Sequence, residues 1–243
     1  MRRAIISDIH GNLEALEAVY GAASACGVDS WACLGDIVGY GADPQRCLQQ
    51  IRTTSEQILR GNHDAAVAGT ERLDGFNPVA RAAVVWTATQ LTPTEREFLG
   101  ALPLKLERED AVLVHAEPGN PAAWEYVFSA HEAQQAFDAT DAHICFAGHT
   151  HCPLACMEAG GAVSSLELSG NAIELGDHCR YFFNVGSVGQ PRDGDPRACF
   201  VLWDGDSKTV EFQRVDYDVE VARRKILDAG LPRFLADRLV SGR

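Results

Sequence analysis

The stretch Ala4-Ile5-Ile6-Ser7-Asp8-Ile9-His10-Gly11-Asn12-Leu13 decides the fold. Ala4 to Ser7 is a short apolar run of the kind a buried strand uses, and the residues after Asn12 switch to a helical period, with Leu13, Leu16, Val19, Tyr20 and Ala23 on one face. Asn12 is placed to cap that helix and Gly27 to stop it. The alternation recurs, with Ser30 to Leu34 as strand, Pro44 to Ile51 as helix and Gln57 to Leu59 as strand. Strands alternating with helices predict βαβ units, a largely parallel sheet and the α/β class.

From Ala65 to Leu104 the strand signal vanishes. Two helices are expected there, one opening at Asn77-Pro78 and one at Thr92-Pro93-Thr94-Glu95, a capping box with proline at the first helical position. This segment, about 65–104, reads as a helical insertion or lid. Strands return at Ala111 to His115 and His143 to Ala147, around a helix that a second capping box, Ser129-Ala130-His131-Glu132, should open. Beyond His151, turn signals at Gly160-Gly161, Gly170-Asn171 and Asp204-Gly205-Asp206 predict antiparallel hairpins, so the second half is expected to supply a second sheet. Helices over Val219 to Ala229 and Pro232 to Val240 close the chain, and with no repeat or linker the expectation is one domain over 1–243.

The chain has 243 residues, 46% of them hydrophobic, enough to build a core without metal or disulfide staples. Any bound metal is therefore expected to be functional. A net charge of -13 disfavours long nucleic acids and anionic membranes, both of which need clustered Lys and Arg. No run approaches the roughly 18 apolar residues of a spanning helix, and the apolar stretch after Arg3 is too short for a signal peptide. A cytoplasmic protein is expected. The eight cysteines include no Cys-x-x-Cys and are read as reduced thiols; Cys145, Cys152 and Cys156 lie close together but lack a four-ligand spacing.

Five polar clusters each follow an expected strand: Asp8-Ile9-His10, Gly35-Asp36, Gly61-Asn62-His63-Asp64, His115 and Gly148-His149-Thr150-His151. Strand ends of an open α/β sheet face one crevice, so carboxylates, an amide and several imidazoles should converge although they span residues 8 to 151. Crowding such groups together without a cation is costly. Taken singly, each fragment has a bland reading as a capping carboxylate, a turn or a core histidine. Gly-His-x-His is the strongest, because alternate residues of an extended segment project to one side.

Together these fragments resemble the calcineurin-like metallophosphoesterase superfamily. Gly39-Tyr40-Gly41-Ala42-Asp43-Pro44, Asn184-Val185-Gly186-Ser187-Val188-Gly189-Gln190-Pro191-Arg192 and Leu231-Pro232 are similar to its small bacterial and archaeal phosphodiesterase branch, so the likeness covers nearly the whole chain. It implies a two-layer mixed β-sandwich flanked by helices. It also implies two metal ions, the first on Asp8, His10 and His151, the second on Asn62, His115 and His149, with Asp36 bridging. Imidazole, carboxylate and amide without thiolate suit Mn, Fe or Zn, with Mn and Fe favoured, and the number of histidines argues against Mg or Ca.

The activity so implied is attack by a metal-bridging hydroxide on a phosphoester, most simply a phosphodiester of a small soluble molecule. A dinucleoside polyphosphate hydrolase of the diadenosine tetraphosphate type and a phosphomonoesterase are the alternatives; a metal-free scaffold would have lost ligands, and here none is missing. In the family the position of His63 faces substrate, so His63 is expected to assist the leaving oxygen, with Asp64 orienting it or merely capping the loop. Arg192 could grip phosphate oxygens or pair with Asp193 or Asp195. Tyr40, held out by its flanking glycines, could stack on substrate or pack the turn, while Phe76 and Trp86 of the lid read as core.

Overall fold

The computed structural model describes residues 1–108, 111–168, 170 and 172–243. The first half runs β1 (Arg2–Ile6), α1 (Leu13–Ala25), β2 (Ser30–Cys33), α2 (Pro44–Thr54), β3 (Gln57–Ile58), α3 (Asn62–Ala68), α4 (Pro78–Gln90), α5 (Pro93–Ala101), β4 (Lys105–Arg108) and β5 (Ala111–Val114). It continues with α6 (Ala130–Asp138), β6 (Ile144–Ala147), β7 (Leu154–Ala159), β8 (Ala162–Ser165), β9 (Ile173–Glu174), β10 (Cys179–Asn184), β11 (Ala198–Asp204), β12 (Thr209–Val215), α7 (Val219–Asp228) and α8 (Arg233–Ser241). No helix among the described residues is long and apolar enough to cross a membrane.

Two six-stranded mixed sheets face each other, ordered β3-β2-β1-β11-β12-β9 and β4-β5-β6-β10-β7-β8. Within β1 the side chains alternate: Ile5 joins Phe146, Phe183 and Val201 in the core between the sheets, while Ala4 and Ile6 pack outward with Leu16, Val19, Leu48 and Phe200 under α1 and α2. On the far side Val112, Val114 and Phe182 pack against Ala133 and Phe137 of α6. Strands buried on both faces need continuous apolar runs, which is why the period-2 signal is missing from them. The sandwich flanked by helices is therefore as the sequence leads one to expect.

The sheets do not divide by halves of the chain. β1 pairs in parallel with β2 on one edge (Ile5 opposite Ala32) and antiparallel with β11 on the other (Ile5 opposite Val201), so the late β11–β12 hairpin, with β9 beyond it, extends the first sheet. Conversely β5, from the first half, pairs in parallel with β6 in the second sheet. A strand with two open edges takes whichever partner offers matching apolar faces, and chain order does not reveal which.

Local signals fare better. Asn12 caps α1, accepting from the Ala15 amide at 3.2 Å, and Thr92 and Glu95 form the expected reciprocal box. At α6, however, Ser129 accepts from the His131 amide at 3.2 Å while its hydroxyl turns to Glu132, so that cap is not reciprocal. Two elements were not anticipated. α3 begins at Asn62, where a strand-end loop was expected, and the charged strand β4 pairs antiparallel with β5 (Leu106 opposite Leu113). The Gly160-Gly161 and Asp204-Gly205-Asp206 turns do join antiparallel strands; Asn171 of the third turn signal lies outside the described residues.

Phe183 is fully buried between the sheets. Phe183→Ala should lower stability by about 3–5 kcal/mol, seen as a fall in the urea midpoint at unchanged slope, and a loss under about 1 kcal/mol would contradict this packing.

Candidate metal centre

Each polar cluster follows a strand, and the strands belong to both sheets. Asp8 and His10 follow β1, Asp36 follows β2 and Asn62 opens α3 after β3; His115 follows β5, and His149 and His151 follow β6. The backbone bends sharply to present them. Asp8, His10, Asp36, His149 and His151 have φ of 54°, 50°, 51°, 68° and 60°, the left-handed region that side chains other than glycine avoid at a cost of about 1 kcal/mol or more each. His149 and His151 thus share a site through two left-handed residues, not through the extended alternation expected for Gly-His-x-His.

Backbone hydrogen bonds between loops offset this strain: the amides of Asp8 and His10 donate to the carbonyls of Gly35 and Asp36, and Gly189 donates to the carbonyl of Asp8. Close approach also dictates glycine at two points. A Cβ at Gly61 would overlap the Asp36 carboxylate, and one at Gly148 would overlap the side chains of Ser7 and Asp8.

All four imidazoles follow one pattern. Nδ1 of His10 lies 3.1 Å from the carbonyl oxygen of Val38, Nδ1 of His115 3.1 Å from that of Leu34, Nδ1 of His151 2.7 Å from that of Gln190, and Nε2 of His149 2.9 Å from that of Trp124. A carbonyl only accepts, so each of these nitrogens carries the hydrogen and, in a neutral ring, the other nitrogen is a bare lone pair. Those remaining nitrogens face one another: Nε2 of His10 is 3.1 Å from Nε2 of His151, and Nε2 of His115 is 3.2 Å from Nδ1 of His149. Donors bound to one metal at roughly 2.1 Å sit about 3 Å apart, so both pairs have the spacing of neighbours in a coordination sphere.

The carboxylates complete the pattern. Asp8 spends one oxygen on the His149 amide at 2.9 Å and leaves Oδ1 without a partner, 3.3 Å from Nε2 of His151. Asp36 accepts from the His63 amide through Oδ1, while its Oδ2 stands 3.5 Å from both Nε2 of His10 and Nε2 of His115, between the two imidazole pairs. Oδ1 of Asn62 is likewise buried and unpartnered. Orphaned acceptors converging in this way suit bound cations.

The electrostatics point the same way. Burial holds His10 and His151 neutral, well below the ordinary imidazole value, and lowers His149 to about 3. Burial opposes charge on His115 too, but the Asp36 carboxylate outweighs it and raises the imidazole to about 9. Burial would raise Asp36, yet His115, His63 and His10 around it hold its carboxyl far below the usual range. Asp8 is pushed up, first by burial and then by Asp36.

A cavity of 370 Å³ opens above the cluster, lined among others by Asp36, Asn62, His63, Phe76, Trp124 and Arg192. The sequence model of the calcineurin-like phosphoesterase superfamily domain matches residues 1–208. The chain belongs to that superfamily. It is 40% identical over 244 residues to an uncharacterized protein of Methanocaldococcus jannaschii, covering 99% of this chain and 98% of that one. A metallophosphoesterase from Sphaerobacter thermophilus superposes with a TM-score of 0.88 at 42% identity, over 100% of this chain and 99% of the other. A hypothetical protein from Pyrococcus horikoshii has the same fold, with a TM-score of 0.79 at 20% identity over 100% and 98% of the two chains. Membership in the calcineurin-like phosphoesterases makes the chain a hydrolase of phosphoester bonds and metal-dependent, and its buried His and Asp groups are suited to binding metal.

Within this phosphoesterase site some expectations change. Of the two roles open to Asp64 it takes the loop-capping one and does not orient His63: its carboxylate accepts from the amides of Ile37, Val38 and Gly61, tying α3 to the loop after β2. The side chain that meets His63 is Tyr40, whose hydroxyl lies 3.0 Å from Nε2, and Tyr40 is buried against His10, not held out to solvent. Its glycine neighbours fold it inward. Arg192 does not pair with Asp193 or Asp195, which bind Arg214 and Arg197; it lies over the Tyr40 ring, 5.6 Å from its centroid, and reaches Gln190. Phe76 meets His63 edge-on at 5.1 Å and so lines the cavity. Trp124 and Tyr126 were missed, although aromatics at alternate positions Trp124, Tyr126 and Phe128 in an irregular connection were a usable signal.

No cysteine belongs to a metal-holding group among the described residues. Burial pushes the thiols of Cys145 and Cys199 up to about 12, so both should resist iodoacetamide in the native protein while the part-exposed Cys26, Cys152 and Cys179 react. Mass spectrometry after labelling should show that pattern with metal content unchanged; metal lost on labelling would bring thiols into the site.

Proposed function

We propose that the protein is a two-metal phosphodiesterase for a small soluble phosphorylated molecule. Asp8, His10 and His151 would hold one ion, Asn62, His115 and His149 the other, with Asp36 between them. The observation that carries this reading is the pair of bare-nitrogen contacts, 3.1 and 3.2 Å, with one Asp36 oxygen 3.5 Å from a member of each. Mn, Fe or Zn suits four imidazoles, two carboxylates and an amide, and Mn or Fe is favoured. Such ions would supply Lewis acidity for a phosphoryl oxygen and lower the pKa of water toward 7.

The chain's own groups do the rest. Arg192, without a carboxylate partner among the described residues, faces the cavity as a cation for the anionic phosphoryl group despite the net charge of -13. Burial lowers His63 to about 4, so near neutral pH it serves as an N–H donor to charge on the leaving oxygen and not as a preformed imidazolium. Tyr40 fixes the His63 ring through Nε2, and Nδ1 has no protein partner. Asp64 sets the backbone that carries both Asp36 and His63. The size of the cavity, 370 Å³, favours a small substrate over a polymer. Eight free cysteines fit a reducing, cytoplasmic setting.

Mn²⁺-loaded protein should hydrolyse bis-p-nitrophenyl phosphate, and Asp36→Asn should abolish turnover; equal rates in both would sink the reading. His63→Ala should lower kcat by about 10²–10⁴-fold with metal content retained, whereas an unchanged kcat would remove His63 from the reaction. Products from diadenosine tetraphosphate, cyclic nucleotides and phosphomonoesters then separate a diesterase from an anhydride hydrolase or a monoesterase.

A further inference from the structure

Three imidazoles of the centre lean on carbonyls beside the strand ends: His10 on Val38, His115 on Leu34 and His151 on Gln190. His149 is different. Its partner is the carbonyl of Trp124, in the irregular connection between β5 and α6. Trp124 has φ 57°, an outlying conformation for a bulky residue, so something must hold it there. Its indole N–H donates to Glu71 at 3.0 Å, and the other oxygen of that carboxylate accepts from the Arg72 amide at 2.9 Å. Glu71 lies in the helical insertion just after α3 and is itself anchored, its amide bonded to the Ala65 carbonyl at 3.2 Å.

The same connection supports the second imidazole pair by packing. Tyr126 stacks flat on His149, 4.1 Å between centroids at 9°, and Trp124 sits edge-on to His115 at 5.9 Å. No comparable contact from this connection reaches His10 or His151 among the described residues.

We propose that Trp124, clamped by Glu71, is the positioning residue for the second ion, and that this clamp links the helical insertion to the affinity of that one position. The inference rests on the two-ion reading above. Removing the indole–carboxylate bond frees Trp124 to leave its left-handed conformation, which turns its carbonyl away from His149 and releases the ring; the supports of His10 and His151 are untouched. Outer partners of ligating imidazoles typically set metal affinity by 10–100-fold.

The test is calorimetric titration of the metal-stripped full chain with Mn²⁺, with His149→Ala marking which binding step belongs to the second position. Glu71→Ala and Trp124→Phe should weaken that step about 10–100-fold, leaving the other step and the melting temperature of the metal-stripped protein unchanged. Glu71→Gln keeps an acceptor oxygen and should bind as wild type does. Equal weakening of both steps, or of neither, overturns the clamp and leaves the two-ion reading standing. Wild-type protein that takes up fewer than two Mn²⁺ overturns both.

Discussion

The centre of this molecule is a surplus of acceptors over donors among buried side chains at the floor of a cavity. Four imidazoles have each given their hydrogen to a backbone carbonyl, and two buried aspartates with an asparagine add further oxygen lone pairs. Such a cluster is tolerable only with positive charge inside it. The Asp36 carboxylate, which raises the His115 imidazole to about 9, favours positive charge at the same place. Cation binding is in this sense dictated by the hydrogen-bond accounting of the surrounding loops.

The sandwich exists to hold that surplus in place. Neither sheet carries the full set: the first supplies Asp8, His10, Asp36 and Asn62, the second His115, His149 and His151. Five of the seven adopt left-handed backbone, a strain that isolated loops would shed and that interlocked loops retain. Asp8 illustrates the economy of the arrangement. One carboxylate oxygen fixes the His149 backbone across the sandwich while the other is left for the centre.

Much of this was legible in the sequence, for identifiable reasons. Strand ends and the Asn12 and Thr92 caps follow from local pattern, and the rule that parallel strands end together gathers the clusters within each sheet; that both sheets bring their sets to one centre lies beyond that rule. What escaped depended on side-chain direction or on distant pairing. Asp64 lies next to His63 in sequence, and sequence left its orienting and capping roles level; the amides of Ile37 and Val38 in the β2 loop and of Gly61 at the head of α3 draw its carboxylate into the capping one. Tyr40 sits between glycines yet turns inward to His63 and His10. β4 was hidden because an edge strand exposes one face and is allowed to be charged, and the pairing of β1 with β11 has no local signature at all.

β1 has its second edge closed only by β11, about two hundred residues further along the chain. The carbonyl that orients His151 comes from Gln190, which is also late. Every candidate ligand is thus in place in the sequence by His151, whereas the strand that closes β1 and the carbonyl that orients His151 both come after it, so the geometry of the centre depends on chain that contributes no ligand to it.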